Sequence, residues 1–169
     1  MTAAALQAED REAIRLMLEA HNTLTLATSH EGRPWAASLF FASDKRLNLY
    51  FVSDYRTRHA RHIQECSTAV ATVNPDCAGW GEVRGLQIEG QVIAVSGLER
   101  ASALRHYLAK FHEVRALFES PKGADEETIA ARLKAANMYR LAPSFIRLID
   151  NSRWFGFKQE FELEAGVET

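Results

Sequence analysis

The stretch Ser53-Asp54-Tyr55-Arg56-Thr57-Arg58-His59-Ala60-Arg61-His62 packs three arginines and two histidines into ten residues. It runs into a segment with helical character, Thr57 to Cys66, in which Thr57 has the side chain of an N-cap. Arg58 and His59 then fall in the first turn, where the helix dipole disfavours cations. An anion at that turn would account for them, because free amides, the dipole and guanidinium forks would converge on a phosphate. A solvated basic helix face is the other reading, and the stretch alone leaves both open. Nucleic acid is a weaker partner for it: aromatics do not interleave, and the chain carries a formal net charge of −2.

The same helix supports a metal reading. His59, His62 and Cys66 stand at i, i+3 and i+7 and share one face, a set of soft ligands suited to zinc or iron. No CxxC or HExxH spacing accompanies them, and Cys66 also reads as a small buried hydrophobe. A third feature is Trp35-Ala36-Ala37-Ser38-Leu39-Phe40-Phe41, which carries small residues on both faces. Such a strand lets a flat ligand approach the backbone; packing space for neighbouring aromatics is the plainer account. Ser-His-Asp and Cys-His signatures, a Walker A loop and a dinucleotide glycine motif are all missing. Asp54, Glu82 and Glu89 are isolated carboxylates.

The elements that must position these residues are legible from periodicity. A helix is predicted over Asp10–Ala20, capped by Asp10, with Ile14, Met17 and Leu18 as its apolar stripe. Thr23–Thr28 alternates polar and apolar, a strand signature. Gly32-Arg33-Pro34 turns the chain into a strand over Trp35–Phe41, and Ser43–Arg46 turns it again into Leu47–Val52. Further strands are predicted at Thr68–Val73, Leu86–Val95, Tyr139–Leu141, Phe145–Asp150 and Phe155–Leu163, with a turn at Ala142-Pro143-Ser144. Helices are predicted at Leu98–Phe111, near Val114–Phe118, and from a cap at Asp125 to Ala136, with Ile129 and Leu133 facing inward. Strands and helices come in separate runs, which argues a mainly β, α+β fold rather than βαβ units. Six to seven strands with short hairpins curl into an antiparallel split β-barrel with flanking helices.

A chain of 169 residues is expected to form one domain, with a core at about residues 10–160. Hydrophobic residues make up 47% and charged residues 25%, an ordinary soluble composition. Met1-Thr2-Ala3-Ala4-Ala5 lacks the features of a secretory leader, and no stretch is apolar enough to span a bilayer. A cytoplasmic location with Cys66 and Cys77 reduced is the expectation.

Taken in order, several segments resemble the pyridoxamine 5′-phosphate oxidase-like family. Asn22–Thr28 with Gly32-Arg33-Pro34-Trp35 is like its opening hairpin, and Leu47–Ser53 like its third strand. Thr57-Arg58-His59-Ala60-Arg61-His62-Ile63 resembles the Ser-Arg-Lys helix start that grips the FMN phosphate. The likeness continues through Ala69–Asn74 and Arg84–Gly90. Ile146–Asn151 with Phe155-Gly156-Phe157-Lys158 is similar to the YhbP-type branch. The resemblance implies a homodimer with FMN in a groove between the two chains. The implied cofactor residues are Ala37, Ser38, Leu39, Val52, Ser53, Arg56, Thr57, Arg58, His59, Trp154 and Lys158, with no metal.

A flavin in that groove goes with an oxidoreductase acting on a small-molecule redox substrate with a nicotinamide or similar donor, and the net charge of −2 points to no nucleic acid or membrane partner. A non-catalytic protein that binds or senses flavin, haem or a deazaflavin is the alternative. The departures from the oxidase are specific. His59 replaces its lysine, the preceding loop is one residue longer, Gly85 stands where the oxidase contacts the flavin, and the substrate-binding arginine pattern near Asp150–Trp154 is not evident. Pyridoxamine phosphate is accordingly not the expected substrate.

Overall fold

The computed structural model describes residues 6–163; Met1–Ala5, on which the expected absence of a leader rests, lie outside them. Seven strands form: β1 (Thr23–His30), β2 (Arg33–Ser43), β3 (Leu49–Ser53), β4 (Thr68–Val73), β5 (Arg84–Val95), β6 (Asn137–Asp150) and β7 (Lys158–Glu162). All are antiparallel, in the order β3-β2-β1-β4-β5-β6-β7, and a further β3–β6 pairing closes six of them into a barrel. The closing contact depends on the length of β6. Its first half pairs with β3 from Asn137 to Leu141, it runs along β5 throughout, and its far half pairs with β7 from Phe145 to Ile149.

Alternation explains the core. Leu24 and Leu26 of β1, Phe41 of β2, Phe51 of β3, Ile88 of β5 and Tyr139 of β6 point inward and are buried. Phe51 and Tyr139 stack with ring centroids 5.3 Å apart. Three helices cover this frame: α1 (Ala8–Ala20), α2 (Arg58–Glu65) and α3 (Gly97–Lys110). Ile14 and Leu18 of α1 and Ala60 and Ile63 of α2 enter the barrel core. Ala103 and Tyr107 of α3 pack outside it with Ala42, Tyr50 and Met138. Helices α4 (His112–Glu119) and α5 (Gly123–Ala135) complete the run. None of the described helices is long and apolar enough to cross a membrane.

Several local expectations differ from what forms. The first helix begins at Ala8 with Gln7 at its N-cap, so Asp10 lies in the first turn, where it accepts from Gln159 Nε2 at 3.2 Å. Helix α5 begins at Gly123 rather than at an Asp125 cap, and the Glu126 carboxylate accepts from the Lys122 amide at 2.6 Å. Ala130, not Ile129, is its buried residue, and Ile129 is 46% exposed. Ala142-Pro143-Ser144 is no turn: β6 runs straight through it, and a register shift between Glu89 and Gly90 absorbs the proline. A bulge is where a residue without an amide proton fits a ladder.

Lys110 ends α3 with its ammonium on the carbonyls of Leu18 and His21, at 2.9 and 2.6 Å, and 4.2 Å from the centre of the Phe41 ring. Burial lowers its pKa from the ordinary 10.5 to about 8. Above the folded value, the unfolded chain binds the proton more readily than the native one, so this group makes stability rise with pH. Wild-type resistance to urea should therefore climb between pH 8 and about 9.5, and Lys110→Met should flatten the climb. At higher pH the raised values of Tyr50 and Tyr107 act in the opposite sense. An identical slope in the variant would show that Lys110 titrates normally.

Candidate functional site

The strand register fixes two ends of the barrel. Ser53 pairs with Asn137 and Met138 with Val95 at one end; Arg84 pairs with Asp150 at the other. Helix α2 and the β1–β2 turn sit at the first end. There Thr57 caps α2 as its sequence suggests, its hydroxyl oxygen accepting from the Ala60 amide at 3.4 Å and donating to the Asp54 carbonyl at 2.8 Å. Around that cap Ser53 Oγ lies 3.1 Å from Thr57 Oγ1 and 2.7 Å from His59 Nε2. His59 is buried, and burial with the neighbouring His62 lowers its pKa, so the ring is held neutral. Two hydroxyls and an imidazole thus meet at the N-terminus of α2.

Arg58 leaves the same turn on the other side, toward β1 and β2. Its guanidinium carbon lies 4.6 Å from the centre of the Trp35 ring, within cation–π range. Its Nε donates to His62 Nε2 at 3.4 Å, while His62 Nδ1 meets Thr28 Oγ1 at 3.1 Å. Burial, then the charge of Arg58, lowers the His62 pKa. A neutral His62 accepting through Nε2 carries its hydrogen on Nδ1 and donates it to Thr28. The ring therefore braces Arg58, and among the described residues the terminal nitrogens of its guanidinium have no hydrogen-bond partner. Beside Arg58 opens a cavity of about 530 Å³, lined also by His30, Glu31, Arg33, Arg61, His62, Gln64 and Glu65.

The remaining residues of interest divide clearly. Arg56 turns away and forks onto Asp54 at 2.7 and 3.0 Å, and it holds that carboxyl down at about 2. Its charge is therefore already matched. On β2, Ala37 and Leu39 share the inward face with Trp35 and are half-buried, while Ala36 and Ser38 point outward and are exposed. Val52 is half-buried beside buried Ser53 on β3. Trp154 and Lys158 are not near this cluster within the chain: they belong to the loop after β6 and the start of β7, at the Arg84–Asp150 end. Eleven steps of β5 separate the two ends, roughly 35 Å along the strand. Trp154 is 62% exposed.

Gly85 has no room for a side chain, since a Cβ would sit 2.9 Å from the Val73 carbonyl oxygen. Cys66 is exposed, correcting its reading as a buried hydrophobe. His59 and His62 are engaged by different partners, and no cluster of three or more His, Cys, Asp or Glu able to hold a metal occurs among the described residues. Of the residues that orient Arg58, His62 belongs to the basic stretch itself, whereas Thr28 and Trp35 come from places that stretch does not advertise. Thr28 and Trp35 face each other across the β1–β2 hairpin, and that pairing is the one sequence-level sign that they share a site.

A family model described as pyridoxamine 5′-phosphate oxidase matches residues 10–140, and the chain belongs to that family. Within it the chain is of the YhbP type. The UPF0306 protein YhbP of Salmonella paratyphi B is 32% identical over 147 residues, covering 86% of this chain and 88% of the relative. Solved structures share the fold. A haem-binding protein from Mycobacterium smegmatis aligns over 96% of this chain and 60% of its own, with a TM-score of 0.69 and 16% identity. An FAD-binding protein from Mesorhizobium loti aligns over 86% and 96%, with a TM-score of 0.60 and 14% identity.

Proposed function

We propose that this protein is a flavin-binding oxidoreductase that anchors FMN by its phosphate at the N-terminus of α2. The observation that carries the reading is the cap itself: Ser53 and Thr57 hydroxyls and His59 gather at a helix start, with Arg58 braced beside it. That set suits a phosphate, because the Ser53 hydroxyl and first-turn amides can donate to its oxygens while the guanidinium supplies charge and Thr57, its hydrogen on the Asp54 carbonyl, fixes the cap. The ring would lie along Ala37–Leu39, where small side chains leave the backbone accessible. Bound flavin would supply hydride and electron transfer with a reduced nicotinamide as donor. The chain's own task is to hold the phosphate, shield the ring and leave one of its faces open to a small redox substrate. Weak or no turnover of pyridoxamine phosphate goes with this reading.

The reading includes a homodimer. Phe40 and Val70 are 56% and 46% exposed on the outer face of β2, β1 and β4, among Ala27, Ala36 and Ser38. An apolar face of this kind favours association. A second copy is also the means by which Trp154 and Lys158 can reach a flavin held at the far end of the first. Haem is the second reading, favoured by the M. smegmatis neighbour. The nitrogens of His62 are both engaged, however, as is Nε2 of His59, which leaves flavin the better fit.

The absorbance spectrum of the purified protein incubated with FMN or haem decides between them. Flavin bands with a fluorescent extract, on a particle of dimer mass by light scattering, are expected. A Soret band, a colourless protein after incubation, or a monomer at micromolar concentration would overturn the reading.

A further inference from the structure

The cavity beside Arg58 is larger than one phosphate requires and lies within the roughly 300–1,000 Å³ of small-molecule sites. Its position along β2 is informative. Ala37–Leu39, where the ring is placed, come first; Trp35 with Arg58 follows; Arg33 and the β1–β2 turn lie beyond. The cavity is therefore on the side of the phosphate away from the ring. Arg58 and Arg61, one turn apart on α2, line it together with Arg33. Among the described residues none of these three guanidiniums is ion-paired to a carboxylate, although Glu31 and Glu65 line the same space. Arg15, Arg56, Arg115, Arg140, Arg147 and Arg153 each hold a carboxylate; Arg33, Arg58 and Arg61 differ from the other arginines without an ion pair in lining one cavity together.

We infer that Arg33 and Arg61 form a second anion subsite, which takes a second phosphoryl group attached to the far side of the flavin phosphate. The ligand class this defines is a flavin dinucleotide, with its pyrophosphate bridging Arg58 and the Arg33–Arg61 pair. A pyridine nucleotide has the same pyrophosphate, but its nicotinamide must reach the flavin ring, in the opposite direction along β2. The inference rests on the flavin reading above. Arg33 and Arg61 are exposed, so their replacement spares the core.

The test is titration of FMN, FAD and NADPH into the full-length wild type and an Arg33→Ala/Arg61→Ala variant, followed by fluorescence and calorimetry. Charge-assisted contacts contribute about 1.5–3 kcal/mol each, which sets the expected loss of FAD affinity at roughly tenfold or more. FMN affinity should stay within about twofold of wild type. Equal loss for FMN and FAD, or no loss for either, would overturn the subsite while leaving the phosphate clamp standing. A selective loss of NADPH would assign the pocket to the donor instead and overturn the dinucleotide-flavin inference. Failure of the wild type to bind either flavin would overturn the flavin reading and this inference together.

Discussion

Gly90→Ala is expected to lower the unfolding free energy by about 3 kcal/mol or more, or to leave the chain insoluble. A Cβ on Gly90 would meet the Ala142 carbonyl oxygen at 2.2 Å, the Ala142 carbonyl carbon at 2.8 Å and Pro143 Cα at 3.0 Å. All three are backbone atoms, so no rotamer change relieves the overlap; β5 and β6 must separate. Strand β6 cannot give way cheaply, because the same strand closes the barrel on β3 and carries β7. Gly85→Ala is the graded comparison. Its Cβ would meet the Val73 carbonyl oxygen at 2.9 Å and the Asn74 Cβ at 3.0 Å, a lesser overlap at the end of a pairing. Urea midpoints should fall in the order wild type, Gly85→Ala, Gly90→Ala. A Gly90→Ala midpoint indistinguishable from wild type would mean that the bulge can open, and with it that β6 is not the fixed seam of the barrel.

The bulge also marks where sequence reading loses sight of the structure. Ala-Pro-Ser has the local chemistry of a turn, and nothing nearby shows that Gly90, more than fifty positions earlier, makes room for Pro143. Alternation exposed the strands because each inward residue reports its own environment. The barrel itself was legible, but the β3–β6 pairing that closes it was not, because Phe51 and Tyr139 report each other only once they are paired. The same division runs through the site. Thr57 as cap, with Arg58 and His59 in the first turn, is written in adjacent letters. Whether Arg58 is braced or merely solvated depends on Trp35, His62 and Thr28, the last of which is 34 positions from His62. Arg56 carries the same type of charge two residues away, yet Asp54 takes it, because an Asp two positions earlier is within reach in a turn. Trp154 and Lys158 entered through family resemblance alone, and one chain places them at the opposite end of the barrel.

Arg58→Ala is expected to weaken FMN binding by roughly ten- to a hundredfold, the affinity equivalent of losing one charge-assisted contact of about 1.5–3 kcal/mol. Riboflavin, which lacks the phosphate, should bind wild type and variant alike. The ratio of the two effects separates a phosphate contact from general damage to the fold. Arg58 is exposed and its guanidinium lies over the Trp35 ring, so truncation costs a surface contact and no core. Arg58→Lys is a sharper probe. It keeps the charge but loses the Nε–H that donates to His62, together with the planar fork that stacks on the indole. A lysine variant that recovers only part of the FMN affinity would show that His62 and Trp35 contribute by orienting the cation. Full recovery would show that charge alone suffices and that the bracing is incidental. Equal weakening of FMN and riboflavin by Arg58→Ala would remove the phosphate from this helix start, and the basic stretch would then be a solvated face.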